Sequence, residues 1–201
     1  MLSEEKMSEA EVSLRLAFYL LRHDLVTSDV SVAIDGAQIK TLNEYHFHLS
    51  EFLEQNKCLR CEPGTGWSGT YSFGCSRHLV IHSYPGKGDV VAQMKSGHNL
   101  RVESKKGPLQ KSRSSAEYPL LREALGQLVS IDSVDENDIL AVAVPKSEKF
   151  ESLAMRWREA PLIRKAGIRI LTVARDGTVN GLETAEPLRP PDRQETEPPS
   201  R

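Results

Sequence analysis

Two apolar runs in the last third of the chain set the limits on its fold. Asp138-Ile-Leu-Ala-Val-Ala-Val144 is nearly unbroken, Ile168 to Val173 reads as another buried strand, and between them Phe150, Leu153 and Trp157 recur at helical spacing in a segment that ends before Pro161. A strand that is apolar at successive positions buries both faces, so its sheet must carry helices on both sides. Strand, helix and strand over residues 138–173 therefore predict a parallel crossover in an α/β sheet. With 201 residues the chain has room for one domain with a full core.

The segments upstream supply the rest of that domain. Ser8-Glu9-Ala10-Glu11 has capping-box spacing, and Leu14, Ala17, Phe18 and Leu21 continue it as a helix from about residue 9 to about residue 23. Val30, Val32 and Ile34 alternate with smaller or polar residues, as in a strand ending near Gly36. Thr41-Leu42-Asn43-Glu44 offers a second capping box, with Leu42, Tyr45, Leu49, Phe52 and Leu53 as the stripe of a helix reaching about Gln55. Cys58 to Pro85 reads as two short strands. Leu120, Leu121, Ala124, Leu125 and Leu128 predict a helix over about 116–129. Five prolines among charged residues from Glu183 onward read as a disordered tail, leaving residues 1–182 as the domain with an insertion at about 41–85.

Between the insertion and the later helix lies Gly88 to Lys106, which reads as a β-hairpin with its turn around Ser96-Gly97-His98-Asn99. In its second strand Leu100 and Val102 take one face, and Arg101, Glu103 and Lys105 the other. A five-residue turn places Asp89 across from Lys105 and diagonal to Glu103. Two carboxylates and an amine on one sheet face make a hard-cation site with a charged helper. The competing reading is a cross-strand ion pair, Asp89 to Lys105, with Glu103 paired to Arg101 or Lys106.

Asp89, a thirteen-residue spacer and Glu103-x-Lys105 on adjacent strands resemble the PD-(D/E)xK nuclease superfamily, although Gly88 stands where that motif has proline. The resemblance implies a restriction-endonuclease-like α/β core (helix, three strands, helix, strand) with a mixed central sheet flanked by helices, plus the inserted helix and short strands. It implies a Mg²⁺- or Mn²⁺-dependent DNA endonuclease, restriction and defence being one setting. Asp89, Glu103 and the Ser104 backbone carbonyl would hold the ion, and Lys105 would serve the attacking water. Glu11 on the first helix and Gln127 on the later one, which shares a face with Glu123, are accessory candidates. Duplex DNA is the expected partner and a homodimer one assembly.

Net charge is −2, but from Lys95 to Arg113 six Lys/Arg accompany the single acid Glu103. Arg101, Lys106, Lys111 and Arg113 are thus candidate phosphate contacts. Cys58-x-x-Cys61 and Cys75-x-x-His78 have the spacing of a structural zinc site and use all three cysteines, an odd count that argues against a disulfide framework. Gln93-x-Lys95 is a rival pair, weaker because an amide is a poor Mg²⁺ ligand. Asp35 reads as a turn residue, and His46, His48 and His82 as incidental. No apolar run has membrane-span length and the polar start lacks a secretion signal, so a cytoplasmic protein is expected. A non-catalytic nucleic-acid-binding module of the same fold and a zinc-stabilised interaction protein are the alternative functions.

Overall fold

A computed structural model describes residues 5–182 except Asn43, Cys75, Pro85, residues 111–115 and Asp132. The chain begins with β1 (Lys6–Met7), α1 (Glu9–Arg22) and β2 (Val26–Ala33). Next come α2 (Gly36–Ile39), β3 (Lys40–Thr41), β4 (Glu44–Tyr45), α3 (Leu49–Gln55), β5 (Gly69–Phe73) and β6 (Arg77–His82). The hairpin is β7 (Val90–Met94) with β8 (Asn99–Ser104), followed by β9 (Gly107–Pro108) and α4 (Glu117–Val129). The chain closes with β10 (Asp138–Pro145), α5 (Glu148–Arg158), α6 (Pro161–Ala166), β11 (Arg169–Val173) and β12 (Val179–Asn180). The proline-rich tail lies outside the described residues.

Eight strands form one mixed sheet in the order β12-β11-β10-β8-β7-β2-β6-β5. β10 runs parallel to both β8 and β11, as the two apolar runs require, while β7 is antiparallel to β2 and to β8. Along β10, Ala141 and Ala143 join the core beneath α1, and Val142 and Val144 join Leu121, Ala124 and Leu128 of α4. The strand is buried on both faces because each alternate residue meets a different helix.

Helix α1 starts where Ser8 accepts the Glu11 N–H at 3.1 Å. Its burial extends beyond one stripe to Leu16 and Leu20, so it is the central helix of its layer. Phe18 packs against the Phe52 and Phe73 rings at 5.7 and 5.8 Å, and truncating it to alanine costs about 3–5 kcal/mol.

The insertion departs from expectation. Thr41, Leu42 and Glu44 make no helix start: β3 and β4 pair antiparallel, and Leu42 sits at φ 54° and 92% exposed. Its apolar side chain and that of Tyr45 have no core to face there, so helix α3 begins only at Leu49, where Leu49, Phe52 and Leu53 are buried. The two short strands expected in 58–85 are β5 and β6, and they extend the main sheet: β6 lies parallel to β2. α6 and β12 were not foreseen.

Candidate functional site

β8 carries the motif, and its alternation is as expected: Leu100, Val102 and Ser104 are buried beneath α1, with Arg101, Glu103 and Lys105 on the opposite face. Its register with β7 differs from the expectation. Met94 donates its N–H to His98 O at 2.8 Å, so the loop is three residues with Gly97 at φ 88°, and Val90 faces Val102 while Val91 faces Arg101. Asp89 therefore does not oppose Lys105. Its N–H goes to the Val102 carbonyl at 2.8 Å, so Asp89 and Val90 both face Val102, as in a β-bulge. The carboxylate turns towards the next residues of β8 and accepts the Ser104 N–H at 2.8 Å. Gly88 makes this approach possible: its φ of 103° is closed to proline, and a Cβ there would lie 3.0 Å from Val102 O.

The structure brings a third carboxylate to this place. Glu9, the first residue of α1, lies 3.6 Å from Lys105 Nζ, accepts Gln38 Nε2 at 2.9 Å and accepts the Lys106 N–H. Glu123 of α4 approaches Lys105 Nζ from the other side at 3.3 Å. Lys105, 5% exposed, thus bridges the layers on both faces of the sheet. The competing ion pairs are not the ones found: Lys105 pairs with Glu9 and Glu123, and Arg101 pairs with Asp138 at 2.9 Å.

Burial pushes the Asp89 carboxyl up to about 7; the Ser104 hydrogen bond opposes this, while Glu103 and Glu9 add repulsion and Lys105 relieves it. Glu103 is also raised by burial, against the pull of Lys105 and with Glu9 repelling. Glu9 is raised by burial too, with Lys105 and Lys106 lowering and Glu123 raising it. Glu9 and Glu103 repel Asp89, Glu9 repels Glu103 and Glu123 repels Glu9, so the acids around the one buried ammonium carry an excess of negative charge.

Among the described residues no group of three or more His, Cys, Asp or Glu is placed so that together they could hold a metal ion. A Mg²⁺-class ion takes only one or two carboxylates and completes its shell with water and phosphate. Asp89 and Glu103 fit that demand. So does the Ser104 carbonyl: Val102 C=O is directed at β7, and the residue two further along a strand repeats the direction.

The accessory residues fall elsewhere. Glu11 is two positions from Glu9, so it lies across the helix and turns inward, to Arg15 at 2.8 Å and Arg175 at 3.0 Å. Gln127 is exposed one turn beyond Glu123. Arg101 also contacts the Ser133 carbonyl at 2.9 Å, so its guanidinium is committed to the fold. Lys106 is exposed, and Lys111 and Arg113 lie outside the described residues. Gln93 bonds Thr27 and Lys95 pairs with Asp24, which removes that rival pair from the site. Asp35 caps α2 through the Ala37 N–H. His46 bonds Thr41, His48 pairs with Glu51 and His82 bonds Ser31.

Cys58, Cys61 and His78 are not gathered, and Cys75 lies outside the described residues. Cys58 is buried in the core, which pushes its thiol to about 11, away from the thiolate that zinc binds. Cys61 is exposed and His78 bonds Asp29 at 3.1 Å.

Sequence missed Glu9 because the capping box drew notice to Glu11; the available signal was that Glu9 opens the helix on the face opposite the one Glu11 uses. Among the described residues no helix is long and apolar enough to cross a membrane. Comparison with protein-family models, with curated proteins and with solved structures found no match for this chain.

Proposed function

We propose that the chain is a metal-dependent DNA endonuclease with a restriction-endonuclease-like core, α1, β2, β7, β8, α4 and β10 forming its helix, three strands, helix and strand. The observation that carries the reading is the convergence of Asp89, Glu103 and Glu9 on Lys105 where β8 ends, in a cluster with more negative charge than its own residues balance.

Asp89 and Glu103 would hold Mg²⁺ or Mn²⁺, with the Ser104 carbonyl as a further oxygen. The ion, when bound, supplies charge neutralisation on the phosphate and a more acidic water. The chain's own residues do the positioning. The Ser104 N–H fixes one oxygen of Asp89, so that carboxylate presents a constant edge to the ion. Glu9 and Glu123 hold Lys105 Nζ between two helices. There its N–H groups hydrogen-bond the attacking water's oxygen and favour hydroxide at that atom by charge. DNA bound for restriction-type defence is one setting for this chemistry.

A supercoiled plasmid and a labelled duplex incubated with purified protein test the reading. Cleavage with Mg²⁺ or Mn²⁺, its loss in EDTA, and a loss of about 10²-fold or more in Asp89→Ala and Glu103→Ala are expected. Variants that cut as fast as the parent would overturn the assignment.

A further inference from the structure

On the sheet face that carries Glu103, α4 lies over β8 and β10 and α5 over β11. Farther out, the same face holds polar side chains that reach solvent: Gln93 of β7, Ser31 of β2, and His78 and His82 of β6. Their neighbours Val30, Leu79, Ile81 and Ala92 are buried on the other face, beneath α1.

Backbone hydrogen bonds tie this open half to the candidate site. Ala33 donates its N–H to Asp89 O and Ile34 donates to His82 O, each at 2.8 Å, and Ala33 pairs with His82. Asp89, Ala33 and His82 thus lie at one level on three neighbouring segments, which puts His82 about 10 Å from Asp89. The imidazole is fixed there at both nitrogens. Nδ1 accepts the Tyr84 N–H at 3.1 Å, and Nε2 bonds the Ser31 hydroxyl at 2.8 Å.

The Tyr84 ring stacks on that imidazole with centroids 5.7 Å apart and planes at 29°. It is 77% exposed. An exposed tyrosine alone is ordinary surface. This one rests on a ring that the sheet holds, in the loop that leads into Asp89. The same loop carries Lys87, which is exposed and enters no ion pair among the described residues.

We propose that Tyr84 stacks on an unpaired base of the strand being cut, next to the phosphate that the metal ion holds at Asp89 and Glu103, with Lys87 against that strand's backbone. The proposal rests on the nuclease reading and narrows its substrate. Bases inside an intact duplex keep their faces against one another, so Tyr84 can take a base only where the strand is single, flapped or distorted.

Binding of a labelled single-stranded oligonucleotide and of its blunt duplex to the full chain, followed by anisotropy with Ca²⁺ in place of Mg²⁺, tests the contact with an ion on the acids. Tyr84→Ala should weaken single-strand binding at least about 5-fold, Tyr84→Phe should stay within about 2-fold of the parent, and duplex binding should not change. Tyr84 is exposed, so both variants should melt like the parent. With Mg²⁺, the single strand should be cut at least about 5-fold faster than the duplex, and Tyr84→Ala should erase that preference.

A parent that binds neither form, a Tyr84→Ala protein that binds the single strand like the parent or loses duplex binding equally, or a Tyr84→Phe protein as weak as Tyr84→Ala would overturn the proposal. Tyr84-dependent binding by a protein that cuts nothing would sink the nuclease reading and leave the stacking contact. Cleavage that needs Asp89 and Glu103 but is indifferent to Tyr84→Ala would do the reverse.

Discussion

Asp89→Asn is the perturbation for which the structure gives both a sign and a size. The parent carboxyl stands at about 7 when folded against 3.8 for an unperturbed aspartate. A raised acid lends stability while protonated; that contribution is complete below about pH 4 and gone above about pH 7. The interval corresponds to a ceiling of about 4 kcal/mol, and water at the half-buried group screens it, so a gain of about 1–3 kcal/mol is expected for the neutral variant at pH 8. Asparagine keeps an oxygen for the Ser104 N–H, so the comparison isolates charge. Urea melts in EDTA at pH 4, 5, 6, 7 and 8 read the difference, which should shrink steadily as pH falls through this window. Mg²⁺ should narrow it at pH 8 by stabilising the parent alone. A variant less stable than the parent, or a gap independent of pH, would refute the claim that Asp89 is held ionised at a cost.

Gly88→Ala should destabilise by about 1–3 kcal/mol and reduce cleavage, because φ 103° and the Val102 carbonyl at 3.0 Å leave no place for a Cβ; thermal melts and a nicking assay read both. Glu11→Gln should cost about 2–4 kcal/mol in urea melts, by unpairing Arg15 and Arg175, while the metal requirement for cleavage stays as in the parent. Glu123→Gln should lower the cleavage rate with little change in stability, since its pair with Lys105 is half exposed. Cys58→Ala should cost about 1–2 kcal/mol as a core truncation, with a chelator leaving the parent's melting temperature unchanged; a fall on chelation would restore the zinc reading.

What could be read from sequence was what repeats locally. The apolar runs of β10 and β11 report burial on both faces, and the alternation of β8 reports which side Glu103 and Lys105 share. The hairpin register was not legible, because Ser96-Gly97 permits a three-residue loop as readily as a longer one, and each choice slides Asp89 along β8. The partner of Arg101 was hidden for a similar reason: Asp138 meets it only through the parallel pairing of β8 with β10, and that contact is 37 positions apart in the chain. Leu42 and Tyr45 fitted a helical stripe by type but are exposed, a fact that only the position of the core decides. Glu9 became visible as a site residue only when α1 was seated with its first turn against the end of β8.

The most direct test of the central claim is the rate at which purified protein nicks supercoiled plasmid in Mg²⁺ and in Mn²⁺, measured beside a Lys105→Ala variant whose fold is verified by its melt. Cleavage by the parent in either ion, with the variant at least 10²-fold slower, is the predicted result. A parent that cuts nothing in either ion, or a Lys105→Ala protein that cuts at the parent's rate, would contradict it.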